Sequence, residues 1–534
     1  MTGLAFLLLS LAAPQSPEPG PPADVVAEAE RNAEQAAEAL RRCQRFTEAW
    51  LGLADPETGL IPTNTRKGGD HWSAANSAAD NYPFMVLTAA FTDRELMDGR
   101  LLEMLRTERR LTNREHGLPD DWSFSQAAFR HDSPGLGRMQ FGASEYVKDG
   151  LLPLTEWLGP SPWRARMMEL IDALWASADH ELAGGPVPTD NVEVHGELLQ
   201  TLSRIYWMTG ERKYLDWAVR LGDHYLLTEA HFARSDRPLR LRDHGCEVVS
   251  GLCELYVALH FADPAKKEQY RAPLHELLDR ILEVGRNQDG LFADEVRLQS
   301  GTRRLFGAGA RATDTFGYSL NGYYAVYLVD GTEAYREAVL KALGALWRGY
   351  RSHPWEGASS DGYADAIESA LNLYNREPVE SCARWLDSEM AVMWSKQQGS
   401  GIIEGWHGDG NFARTSLMYA LWKTQGVTAQ PWRADLRLGA AMDGDELVLF
   451  LSAEQPWTGT LVFDRPRHRD FLHLPLDWPR INQFPEWFTV EADREYRVAR
   501  GDSPIGEALS GLDLLHGLPL ALGAGESSYW VVQR

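Results

Sequence analysis

The chain has 534 residues, enough for two to four domains. Its 44% hydrophobic and 10% aromatic content excludes wholesale disorder. Lys+Arg 53 against Asp+Glu 76 gives a net charge of −23, a balance that argues against a nucleic-acid partner, which requires a basic face. The 19 tryptophans suit aromatic-lined clefts, although larger cores explain most of them.

The first element, Leu4 to Ala13, is a short apolar run ending in small residues and followed by a Pro/Gly/Ser/Gln stretch. It reads as an export signal, with 1–22 as signal and linker, although Met1 to Gly3 carries no Lys or Arg. A secreted or periplasmic location is therefore expected. No later stretch approaches the roughly 18 continuous apolar residues of a membrane span. Four cysteines are too few for a disulfide framework, and Cys246 and Cys253 on one helix stand too far apart to bridge. There is no CxxC, no HExxH and no paired His at ligand spacing, so neither metal nor other cofactor is expected.

From 23 to 430 the chain reads as helices in pairs, one apolar on much of its surface and the next with a one-sided stripe. Inner helices are predicted near 76–92, 141–158, 191–209, 244–261, 314–329, 361–376 and 408–425. Outer helices are predicted near 24–53, 95–110, 162–180, 211–228, 266–286, 332–351 and 378–398. Short connections such as Thr209-Gly210-Glu211 run from inner to outer. Long loops rich in Gly, Pro, Asp and Trp run from outer to inner, which places function on one face. From 431 to 534 alternating segments around Asp443-Gly444 predict a small antiparallel β-domain, a sandwich.

Helical hairpins such as Tyr206-Trp-Met-Thr-Gly-Glu-Arg-Lys-Tyr-Leu-Asp-Trp-Ala218, followed by a β-domain in an exported chain, resemble the (α/α) toroid carbohydrate-active enzymes. That group includes glucuronidases, unsaturated glucuronyl hydrolases, and heparinase-like and alginate lyases. The resemblance is one of architecture. It implies a mainly α fold, an (α/α)6 or (α/α)7 toroid with a C-terminal β-sandwich, and a glycan substrate. Six or seven hairpins and the oligomeric state stay open.

In such a toroid, polar residues at inner-helix starts face the mouth, although Asp, Asn and Ser there are ordinarily caps. Asp361, Asp365 and Glu368 make one carboxylate stripe, and a single cap explains only one acid. Asp80 and Asn81 precede Pro83; Glu193 shares a face with Glu197; His244 and Asp314 open further helices. Asp361, Asp365, Asp80, Asp314, Glu193 and His244 are thus the catalytic candidates. Two carboxyl groups suit a glycoside hydrolase. A lyase would instead take a base from His244, Tyr318 or Tyr363, with Asn81 or Arg138 neutralising the substrate acid. If the acids are caps only, the chain is a non-catalytic glycan-binding protein. Substrate contacts are expected from Trp72, Trp122, Trp355, Trp406 and His407. Loop arginines, among them Arg130, Arg138, Arg242, Arg303, Arg304, Arg311 and Arg414, suggest a uronate.

Overall fold

The computed structural model describes residues 21–66, 69–299, 312–501, 503 and 506–534. The expected export signal, Leu4 to Ala13, and with it Arg303, Arg304 and Arg311, lies outside the described residues. Among the described residues seven inner helices close into a ring. They are Tyr82–Thr92, entered through the π-helical Ala74–Asn81; Leu136–Glu145, continued through Tyr146–Leu151 to Leu152–Leu158; Val192–Thr209; Glu247–Ala262; Phe316–Asp330; Ser360–Tyr374; and Gly408–Lys423. The last packs against the first, which settles the hairpin number at seven.

Glycines allow this tight closure. A Cβ on Gly196 would stand 2.4 Å from the backbone nitrogen of Val248, and one on Gly410 would stand 2.3 Å from the Asp80 carbonyl. Outer helices, from Ala23–Gly52 to Glu380–Trp394, cover the ring with amphipathic faces. Glu247–Ala262 belongs to a stretch apolar and long enough to cross a membrane, Asp243–Ala262, but 83% of its apolar window is buried inside the toroid. All four cysteines are buried and free.

The β-domain has strands β1 (Thr428–Gln430), β2 (Leu436–Asp443), β3 (Glu446–Ala453), β4 (Trp457–Val462), β5 (Glu495–Arg500), β6 (Glu507–Ser510), β7 (Leu518–Leu522) and β8 (Ser527–Gln533). A five-stranded sheet in the order β6-β5-β8-β3-β2 and a three-stranded sheet β7-β4-β1 share one apolar core, including Leu449, Trp457, Val498 and Val532. The connection between β4 and β5 departs from a simple sandwich. Its Leu472, Leu474, Trp478 and Phe484 join the core of the toroid rather than that of the sheets. Arg480, 0% exposed, pairs there with Glu156 at 2.5 Å, and Trp478 Nε1 donates to Glu254. This connection carries Asn482, in the left-handed backbone region at φ 59°, into the centre of the ring.

Candidate active site

The inner-helix starts surround a cavity of about 340 Å3. Asp80, Glu193, His244, Asp314, Tyr318, Asp361, Asp365, Trp406, His407 and Arg414 all line it. The caps are other residues. Ser359 Oγ accepts from Gly362 N at 2.9 Å at the start of Ser360–Tyr374, and Asn191 caps Val192–Thr209. Asp361 and Glu193 are therefore free of capping duty. Asp80 lies inside the π-helical turn rather than at a cap.

One wall is built on Arg414. Its Nη2 donates to Asp365 Oδ1 at 2.7 Å and stands 2.8 Å from Glu368 Oε2; its Nη1 donates to Asn411 and Asn482 at 3.0 Å. The Tyr318 hydroxyl donates within the same group, 2.8 Å from Glu368 and 3.0 Å from Asp365. Asp361 stands one helical turn before Asp365 and accepts from Asn411 Nδ2 at 2.8 Å. Burial, reinforced by the charges of Asp365 and Glu356, pushes its carboxyl up to about 8, so Asp361 carries a proton at neutral pH. Burial, with Asp365 and Glu356 nearby, likewise raises Asp314 well above the carboxylate range; burial, with Asp149 and Asp361 nearby, does the same to Asp80.

The second wall joins the middle of two inner helices, at Lys148 and Gln200, to the start of a third, at His244 and Glu247. Lys148 Nζ bridges Asp149 at 2.7 Å and Glu247 at 2.5 Å, and Gln200 Nε2 donates to Glu247 at 2.9 Å. His244 Nδ1 lies 3.1 Å from Glu247 and its Nε2 3.3 Å from Glu145. Burial alone would lower the imidazole, but the Glu247 contact and the charges of Glu247, Asp149 and Glu197 lift it to about 10. Glu197 accepts from Ser144 and is pushed up to about 8 by burial and then by Glu247. His407, pushed down to about 4 by burial, stays neutral beside Asn76.

Seven expected contacts fall elsewhere. Trp72 is 2% exposed, paired in a small sheet with Trp122, whose ring meets Phe129. Trp355 is 0% exposed between Tyr350 and Trp385, and serves the core. Tyr363 is buried with Lys396 over its ring. Asn81 is buried and its Nδ2 reaches the Trp406 carbonyl. Arg138 pairs with Asp120 at 2.8 Å, and Arg242 with Asp243 at 3.5 Å; neither lines the cavity. One physical reason covers the six rings and arginines. A loop position predicts nearness to the mouth, but large rings bury themselves and arginines take the nearest carboxylate.

Sequence reasoning missed Glu145, Lys148, Asp149, Glu247 and Glu356, all of which line the cavity. The signal was present for the first three. They interrupt the predicted inner helix 141–158 with charge, as Asp365 and Glu368 interrupt theirs.

No family model matches the chain, and no curated protein matches it. Among solved structures it is similar to an inactive variant of an alpha-1,6-mannanase, GH76A of Salegentibacter sp. HEL1_6. The identity is 11% and the TM-score 0.39, over 72% of this chain and 98% of that one. It is also similar to a possible member of the GH105 family from Salmonella enterica, with 13% identity and a TM-score of 0.40, over 53% and 82%. A third is cellobiose 2-epimerase from Spirochaeta thermophila, with 15% identity and a TM-score of 0.38, over 61% and 86%.

Proposed function

We propose that the chain is a glycoside hydrolase whose acid is Asp361 and whose second carboxyl group is Asp365. The observation that carries this reading is the contrast between two carboxyl groups one turn apart on a single cavity wall. Asp361 holds a proton at neutral pH and is suited to protonating a leaving oxygen. Asp365 is held by the Arg414 guanidinium at 2.7 Å and by the Tyr318 hydroxyl, an arrangement that fixes it for activating water or for attack at the anomeric carbon. Trp406 on the rim offers an indole face for a sugar ring. The apolar run Leu4 to Ala13 supports export of such an enzyme.

The lyase reading is weaker at the same site. His244 is charged and engaged with Glu247, and burial raises the Tyr318 hydroxyl, already donating to Glu368, well above its usual range; neither is poised to take a proton. The uronate expectation rested on arginines in the mouth loops. Arg414 and Arg240 on the cavity wall are both engaged with carboxylates, Arg240 with Glu193 at 2.8 Å. A neutral glycan fits this acid-lined cavity better than an anionic one. Incubation of the full chain with neutral and uronate-containing glycans tests the reading. New reducing ends without ultraviolet absorbance are expected from a neutral glycan, and their loss in Asp361→Asn. An unsaturated product, or unchanged turnover in Asp361→Asn, would overturn it.

A further inference from the structure

The cluster on the second wall does more than balance charge. Glu145, Glu197 and His244 each offer one ligand atom, and these atoms lie within 4.8 Å of one another. Glu197 is 0% exposed and Glu145 3%; Glu197 Oε1 has no hydrogen-bond partner, and Glu145 meets the Asp149 carboxyl and the His244 imidazole. A buried carboxylate oxygen left without a hydrogen bond costs free energy unless a cation or a proton meets it. Glu197 Oε1 is the telling atom, because its other oxygen is already satisfied by Ser144.

The histidine is presented as a ligand would be. Its Nδ1 faces Glu247 Oε1 at 3.1 Å, and Glu247 is itself fixed by Lys148 and Gln200. A carboxylate accepting from Nδ1–H sets the tautomer and leaves Nε2 as the donor atom, the usual orientation of a metal-bound imidazole. Nε2 stands 3.3 Å from Glu145 Oε1. An ion holding N and O ligands at about 2.1 Å in tetrahedral geometry separates them by about 3.4 Å. One edge of the coordination polyhedron therefore exists already. Glu145 and His244 line the cavity, so a fourth position opens toward a bound ligand.

We propose that Glu145, Glu197 and His244 form a binding site for one divalent transition-metal ion of the zinc type, oriented by Glu247 and open to the cavity. One imidazole with two carboxylates suits such ions. The ion takes the place of the proton on His244 Nε2 and of any proton held by Glu197 and Glu145, and these protons pass to solvent through the cavity. Its open position would accept a water or one sugar hydroxyl. The proposal stands apart from the assignment of Asp361 and Asp365 and is tested without turnover.

The full chain, stripped with chelator and dialysed, is titrated with zinc chloride by calorimetry and with cobalt chloride by visible absorption. One ion per chain, a raised melting temperature and new cobalt d–d bands are expected. Glu197→Gln and Glu145→Gln should each weaken binding at least tenfold, and Glu247→Gln by about 10–100-fold. Melting curves of the metal-free variants establish that they fold, and the cobalt spectrum of the unmodified chain needs no variant. If the folded chain binds neither ion stoichiometrically, the oxygens share a proton and the proposal fails. It fails equally if binding survives all three substitutions, since the ion then sits elsewhere.

Discussion

Asn482 Oδ1 accepts a hydrogen bond from Arg414 Nη1 at 3.0 Å, across 68 positions of sequence and from the β4–β5 connection into the helical ring. Its Nδ2 donates to Asp149 Oδ1 and its backbone nitrogen to Glu368 Oε1 at 2.6 Å. One residue of the C-terminal region thus ties together the two charged walls of the cavity.

Asn482→Ala is expected to remove both side-chain bonds and leave Arg414 and Asp149 each short of a partner. A loss of about 1–3 kcal/mol follows for each buried group left unpaired. Chemical denaturation should show the loss, and turnover should fall with it. Asn482→Asp should be worse for activity, because it sets a second carboxylate against Asp149. Equal stability of the alanine variant and the unmodified chain would contradict this placement.

Asp361→Asn should lower kcat by about 10²–10⁴, the usual contribution of a general acid. In the unmodified chain activity should fall as pH rises through about 8, where Asp361 gives up its proton. The same group sets a stability slope. Its folded value lies above the unfolded 3.8, so its contribution is complete below pH 3.8 and is lost as pH rises through about 8. Melting temperatures measured from pH 5 to 8 should fall. In Asp361→Asn the slope should flatten by up to about 1.4 kcal/mol per pH unit.

Trp406 and Trp355 should separate binding from packing. Trp406→Ala is expected to raise KM for the glycan with little change in melting temperature, because the ring lines the cavity. Trp355→Ala empties a core position of 0% exposure and should cost about 3–5 kcal/mol of stability. Comparison of melting curves with substrate titrations checks both.

Gly410→Ala should strain the closure of the ring. The added Cβ would stand 2.3 Å from the Asp80 carbonyl and 2.8 Å from Asn81 Cα, both backbone atoms that cannot swing aside. A drop in melting temperature is expected, together with lost activity, since the first and last inner helices carry Asp80, Trp406 and Arg414 into the cavity. Gly344→Ala, inside a helix with nothing within 4 Å, is the matched control and should keep activity and hold or slightly raise the melting temperature.

Much of this was legible in the order of residues. Apolar periodicity and Gly/Pro punctuation located the helix pairs but left six or seven hairpins open, because amphipathic period is a local property and ring closure is not. The stripe of Asp361, Asp365 and Glu368 could be read as more than a cap, because acids on an otherwise apolar helix need a partner or a purpose. Local sequence could not say which helix would stand opposite. Arg414 meets Glu368, Lys148 meets Glu247, and Glu145 meets His244 only once the ring has closed. Spacing rules for metal ligands found nothing for the same reason, since 145, 197 and 244 come from three different parts of the ring. Nor could alternation along β4 and β5 disclose that the chain between them leaves its own sheet to fill the toroid with Trp478, Arg480 and Asn482. Periodicity determined the pieces. Long-range burial and the pairing of buried charge, which act only between elements already in place, decided the site.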